Sequence, residues 1–107
     1  MNEKEVVAAL AALAQPCRLR IFRQLVVVGQ AGLTPSALSK ALEVPPATLS
    51  FHLKELTHSG LIEQKREGRN LIYTTEVKQM NSLLAYLTEN CCQGEPCLGT
   101  TDIICKS

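Results

Sequence analysis

The chain has 107 residues, a net charge of +1 and 46% hydrophobic residues, enough for one small domain whose modest core calls for help from a second subunit. Its apolar runs at 6–14 and 26–28 are too short to cross a bilayer, and the opening MNEKE lacks the charge pattern of a signal peptide, so a cytoplasmic protein with no membrane contact is expected. The near-neutral balance excludes a generally basic nucleic-acid binder, and the odd number of cysteines, five, speaks against a secreted disulfide framework.

Apolar spacing predicts five helices and one hairpin in the order ααααββα. Val6, Leu10 and Leu13 recur at helical spacing in a first helix that stops before Pro16, and Leu19, Phe22 and Leu25 mark a second running toward Gly29. The following GQAG reads as a loop. Thr34-Pro35 is a helix start, with a hydroxyl to cap and a proline where no N–H is needed, and this third helix reaches about Leu42. Glu43 to Pro45 is a turn. In the fourth helix Leu49, Leu53 and Leu56 form one apolar stripe, and Gly60 ends it. A hairpin follows, tipped by Arg66-Glu67-Gly68-Arg69, and Met80, Leu83, Leu84 and Leu87 mark a last helix that Gly94 and Pro96 stop. Residues 1–92 are expected to form the folded domain and 93–107 a tail. Two apolar terminal helices exceed what so small a core can cover, which predicts that they pack across a dimer two-fold axis.

A short helix followed directly by a hairpin with a basic tip is the layout of a winged helix-turn-helix, one element sized for a major groove and the other for phosphates or the minor groove. Charge is distributed accordingly: Pro16 to Asn70 holds eight basic residues against four acidic ones, whereas Leu71 onward holds two against four. The fourth helix offers Thr48 and Ser50 as hydroxyl contacts to base edges, Phe51 as a contact for a thymine methyl or sugar, and Lys54 as a phosphate contact. Partial burial under the next helix is the competing reading for Phe51. Lys65, Arg66 and Arg69 on the wing suit phosphates or a narrow minor groove. His52 reads as a satisfied core or hinge histidine, His58 as a cation favoured by the helix dipole, and Cys17 as a small packed side chain.

Cys91, Cys92 and Cys97 put three sulfurs in seven residues, with no neighbouring His or Asp. Soft ligands of this kind select thiophilic species over hard cations. Trivalent arsenic or antimony takes three thiolates, while zinc, cadmium or lead becomes open if Cys105 adds a fourth. A thiol redox or persulfide switch is a further reading. A thiol enzyme is disfavoured, because the sequence offers no adjacent base, phosphate-cradling glycine loop or nucleotide site.

The stretches LSFHLKELTHSGLIEQKREGRNLIYT and ALAQPCRLRIFRQL resemble signature segments of the ArsR/SmtB metalloregulatory repressors, and the likeness runs over nearly the whole chain. It implies a dimeric winged helix that represses a metal-resistance operon and leaves the DNA when metal binds; an inverted-repeat operator is expected for such a dimer. By the same likeness the recognition helix carries Thr48, Ser50 and Lys54, and the wing carries Arg66 and Arg69. The sensor departs from common members: residues 36–42 hold no Cys-Val-Cys box, and residues 77–90 lack the Asp/His zinc set. It is similar instead to the subgroup whose arsenic site is a C-terminal cysteine cluster, matching Cys91, Cys92 and Cys97, so trivalent arsenic or antimony is the expected inducer.

Overall fold

A computed structural model describes residues 1–89. Five helices and a two-stranded hairpin follow one another as α1 (Glu3–Leu13), α2 (Pro16–Val28), α3 (Pro35–Leu42), α4 (Pro46–His58), β1 (Ile62–Glu67), β2 (Asn70–Thr75) and α5 (Val77–Leu87). This is the ααααββα winged helix-turn-helix that the sequence predicts. The boundary expected at 92/93 lies outside the described residues.

Local chemistry sets the element ends. Asn2 and Glu5 form a reciprocal capping box on α1, with Asn2 N donating to Glu5 Oε1 at 2.9 Å and Glu5 N to Asn2 Oδ1 at 2.8 Å. Thr34 Oγ1 accepts from Ala37 N at 3.2 Å to open α3, which closes on Glu43 in the left-handed conformation, φ 54°. Val44 N then bonds back to Ser39 O at 3.1 Å, fixing the tight turn into α4. Ser59 caps α4, and Gly60 follows at φ +83°, where a side chain is strained. In the hairpin Glu67 pairs with Asn70, leaving Gly68-Arg69 as a two-residue turn with only Gly68 at positive φ.

The core lies where α2, α4 and β2 converge under α1 and α3, with Ile21, Leu25, Leu38, Leu49, Leu53, Leu56 and Leu61 almost fully buried. Each such side chain contributes about 1.5–3 kcal/mol relative to exposure. In α1 the buried face is Val6, Ala9 and Ala12, while Leu10 is 41% exposed; the small alanines let α1 approach its neighbours closely and leave the larger leucine outside. Three expectations need correction. In α2 Ile21, Phe22 and Leu25 form the buried stripe and Leu19 points outward at 46% exposure. The GQAG loop contains a 3-10 turn at Gly29–Ala31. The last helix ends at Leu87, with Thr88 as its C-cap, well before Gly94.

Candidate nucleic-acid interface

At about 100° per residue, the buried stripe of α4 is Leu49, His52, Leu53 and Leu56, and the opposite face presents Ala47, Phe51, Lys54 and His58. Ser50 and Thr57 flank this exposed face on one side and Thr48 on the other. Phe51 is 55% exposed. It meets the His52 ring edge to face, with centroids 5.4 Å apart. The start of α4 carries no side-chain cap, yet Pro45 and Pro46 have no N–H to satisfy, so only the Ala47 and Thr48 donors of the first turn remain open. Such donors suit an anion.

Cross-strand register sorts the wing. Gln64 pairs with Tyr73 and Arg66 with Leu71, whereas Glu63 pairs with Thr74 and Lys65 with Ile72. Paired residues share a face of the hairpin. The Gln64, Leu71 and Tyr73 face looks toward α4, and with Pro35, Ser50, Lys54 and Thr57 it lines a groove of about 400 Å³. Arg66 belongs to this face by alternation. Lys65 belongs to the other, where it pairs with Glu63 at 3.4 Å and donates to Gln30 at 3.5 Å. Arg69 stands exposed in the turn. Of the expected set, then, Ser50 and Lys54 line one groove, Arg66 lies on the hairpin face that borders it but not among its lining residues, Thr48 and Phe51 share the exposed surface of α4, and Lys65 turns away.

The sequence reading missed Gln64, Thr57 and Tyr73 as groove residues and His58 as part of the exposed α4 face. Their spacing carries the signal: His58 stands four residues after Lys54 on a helix, and Gln64 two residues before Arg66 on a strand. Gln64 Nε2 donates to the Tyr73 hydroxyl at 2.8 Å, so the groove wall is internally bonded.

His52 is the buried histidine that its place beside the leucine stripe predicts, at 7% exposure. Its Nδ1 accepts from Arg18 Nε at 3.2 Å. Burial, first, and the Arg18 guanidinium, second, hold its pKa below the ordinary imidazole value, while Glu55 opposes them. Cys17, in the first turn of α2, is half-buried and packs against the core. Among the described residues no group of three His, Cys, Asp or Glu side chains is placed to hold a metal. Cys91, Cys92, Cys97 and Cys105 lie outside the described residues.

Comparison with known proteins agrees with this geometry. A helix-turn-helix domain family matches residues 13–65. Over 86 residues the chain is 36% identical to the transcriptional activator HlyU of Vibrio cholerae, covering 78% of this chain and 77% of that one. The chain belongs to the ArsR/SmtB family of transcriptional regulators. The regulator NmtR of Mycobacterium tuberculosis is 32% identical over 89 residues, covering 80% of this chain and 72% of that one. An ArsR-like transcriptional regulator from Rhodococcus superposes with a TM-score of 0.71 at 29% identity, covering 81% of this chain and 78% of that one. A homodimeric winged helix-turn-helix DNA-binding domain from Mycobacterium bovis, 24% identical, has the same fold, with a TM-score of 0.64 and coverage of 90% and 89%. This ArsR/SmtB regulator is accordingly a DNA-binding protein and not an enzyme. Among its described residues no helix is long and apolar enough to cross a membrane.

Proposed function

We propose that the chain is a homodimeric repressor of an arsenic-resistance operon that occupies an inverted-repeat operator until trivalent arsenic or antimony binds Cys91, Cys92 and Cys97. The observation that carries the DNA half is the convergence of Ser50 and Lys54 on α4 with Gln64 and Tyr73 on the hairpin around one groove. In this reading Thr48, Ser50 and Phe51 meet base edges, Lys54 and Arg66 hold the phosphates between helix and wing, and Arg69 reaches the minor groove, with Lys65 a weaker, outer phosphate contact.

The dimer half is supported by α1, whose outward side is apolar as well as its buried one: Val7 is 59% and Leu10 41% exposed. A helix apolar all round needs cover on both sides. Leu87 on α5, 53% exposed, extends the same demand, and a second copy packing α1 and α5 against their equivalents answers it.

The sensing half is supported by the donor set, three thiols within seven residues and no His or Asp among them. Metalloid bound more tightly to the DNA-free form shifts the population off the operator, and a coupling of about 1–3 kcal/mol gives a 5- to 150-fold loss of DNA affinity. The test follows the anisotropy of a labelled duplex from the DNA upstream of the chain's own gene. Reduced protein on that duplex is titrated with arsenite, antimonite, zinc, cadmium and peroxide. Release by arsenite or antimonite, lost in Cys97→Ser, supports the reading. Release by zinc or cadmium moves the site to four sulfurs with Cys105, release by peroxide alone moves the cysteines to redox sensing, and no duplex binding removes the reading altogether.

A further inference from the structure

Arg18 sits where three helices meet. Its own N–H is taken by Gln15 Oε1 at 2.9 Å, which anchors it in the first turn of α2. Its guanidinium donates from Nε to His52 Nδ1 on α4 at 3.2 Å and from Nη1 to Ala12 O, in the last turn of α1, at 3.5 Å. A cation at the carbonyl end of a helix is favoured by the helix dipole. The His52 ring in turn meets Phe51, which lies on the exposed face of α4. Ala12, Arg18, His52 and Phe51 therefore form one unbroken chain of contacts from α1 to the exposed surface of α4.

We propose that Arg18 and His52 are a positioning pair that fixes the reading face of α4 relative to α1, so that a shift of α1 is felt at Phe51. The proposal rests on α4 reading DNA as set out above and names the contact through which that face is oriented. The geometry dictates the chemistry of the pair. A guanidinium only donates, so Nδ1 of His52 must carry no proton and the ring proton resides on Nε2. An imidazolium has no acceptor and repels Arg18. The charged groups acting on His52 are Arg18 from α2 and Glu55 from α4 itself.

Two variants separate positioning from mere packing. His52→Gln keeps an acceptor for Arg18, whereas His52→Leu fills the space without one. On the upstream duplex at pH 7.5, His52→Leu is expected to bind about tenfold or more weakly, with circular dichroism and oligomeric state unchanged. His52→Gln is expected to stay within roughly threefold of the parent and to lose the parent's weakening at acid pH, which sets in only below the ordinary imidazole value because burial and Arg18 lower the pKa of folded His52. His58 is common to both proteins, so their difference isolates His52. Wild-type affinity in His52→Leu, or equal losses in both variants, overturns the pair. If the parent itself binds no duplex, the proposed function fails separately. Hydrogen exchange of the DNA-free protein then decides: exchange accelerated in both the end of α1 and α4 by His52→Leu, but not by His52→Gln, supports the pair, and any other pattern overturns it.

Discussion

Leu33 and Tyr73 exchange both backbone hydrogen bonds, Leu33 N to Tyr73 O at 3.1 Å and Tyr73 N to Leu33 O at 2.9 Å, so a single antiparallel bridge ties the segment leading into α3 to the wing. The contact locks the hairpin to the helix pair it flanks. It also explains Gly32: at φ +68°, a Cβ there would stand 2.7 Å from Tyr73 O and 2.9 Å from Thr74 Cγ2. Gly32→Ala is therefore expected to lower stability by about 1–3 kcal/mol in urea unfolding and to weaken duplex binding as the wing detaches. Gly29→Ala is the control, since Gly29 shares the φ of +68° but a Cβ would meet nothing within 4 Å. Equal losses in the two variants would mean that backbone strain alone, and not the close approach, fixes the wing.

This bridge marks the limit of what the sequence discloses. Helices and hairpin are legible because Leu49, Leu53 and Leu56 keep one period, Thr34-Pro35 is a start signal and Gly68 a turn signal. A one-residue bridge at Leu33 has no period to detect. Leu19 misleads for a related reason. Apolar spacing finds a helix but not which of its apolar sides the fold covers, and in α1 the covered side is made of small alanines. The exposed face of α4 follows from its stripe. Gln64 and Tyr73 emerge only when register turns them toward that helix.

His52 makes stability depend on pH. Its folded pKa is lowered, so the unfolded chain binds the proton more readily. Its contribution is full above the unfolded value, about 6.5, and is lost as pH falls through that value toward the folded one. Urea midpoints of the parent should fall below about pH 6.5 more steeply than those of His52→Gln, which removes the titrating group. Parallel curves would show that other groups govern the acid limb.

Wing and helix residues should separate by salt dependence. Lys54→Ala and Arg66→Ala are each expected to reduce the slope of log affinity against log salt by about 1, and to weaken all duplexes alike. Lys65→Ala should change it less, because Lys65 lies on the far face of β1 and already pairs with Glu63. Ser50→Ala and Phe51→Ala should leave the slope and instead narrow the gap between operator and random duplex. A Lys65 effect as large as that of Arg66 would show that DNA wraps the far side of the wing.

The apolar outer side of α1 gives the sharpest test of assembly. Leu10 is absent from the buried core, so Leu10→Glu should leave each subunit folded while placing a carboxylate in the proposed two-fold interface. Sedimentation should then report monomer. Duplex affinity should fall by at least about 100-fold, because two half-site contacts are no longer linked. Val27→Glu is the matched control: Val27 is more exposed still, at 78%, but stands on α2, away from the terminal helices. Retained dimer and affinity in Val27→Glu alone places the interface on α1. Loss in Val27→Glu with Leu10→Glu intact would move it to the outer face of α2, where Arg20 and Arg23 flank Val27, and the pairing of terminal helices would have to be abandoned.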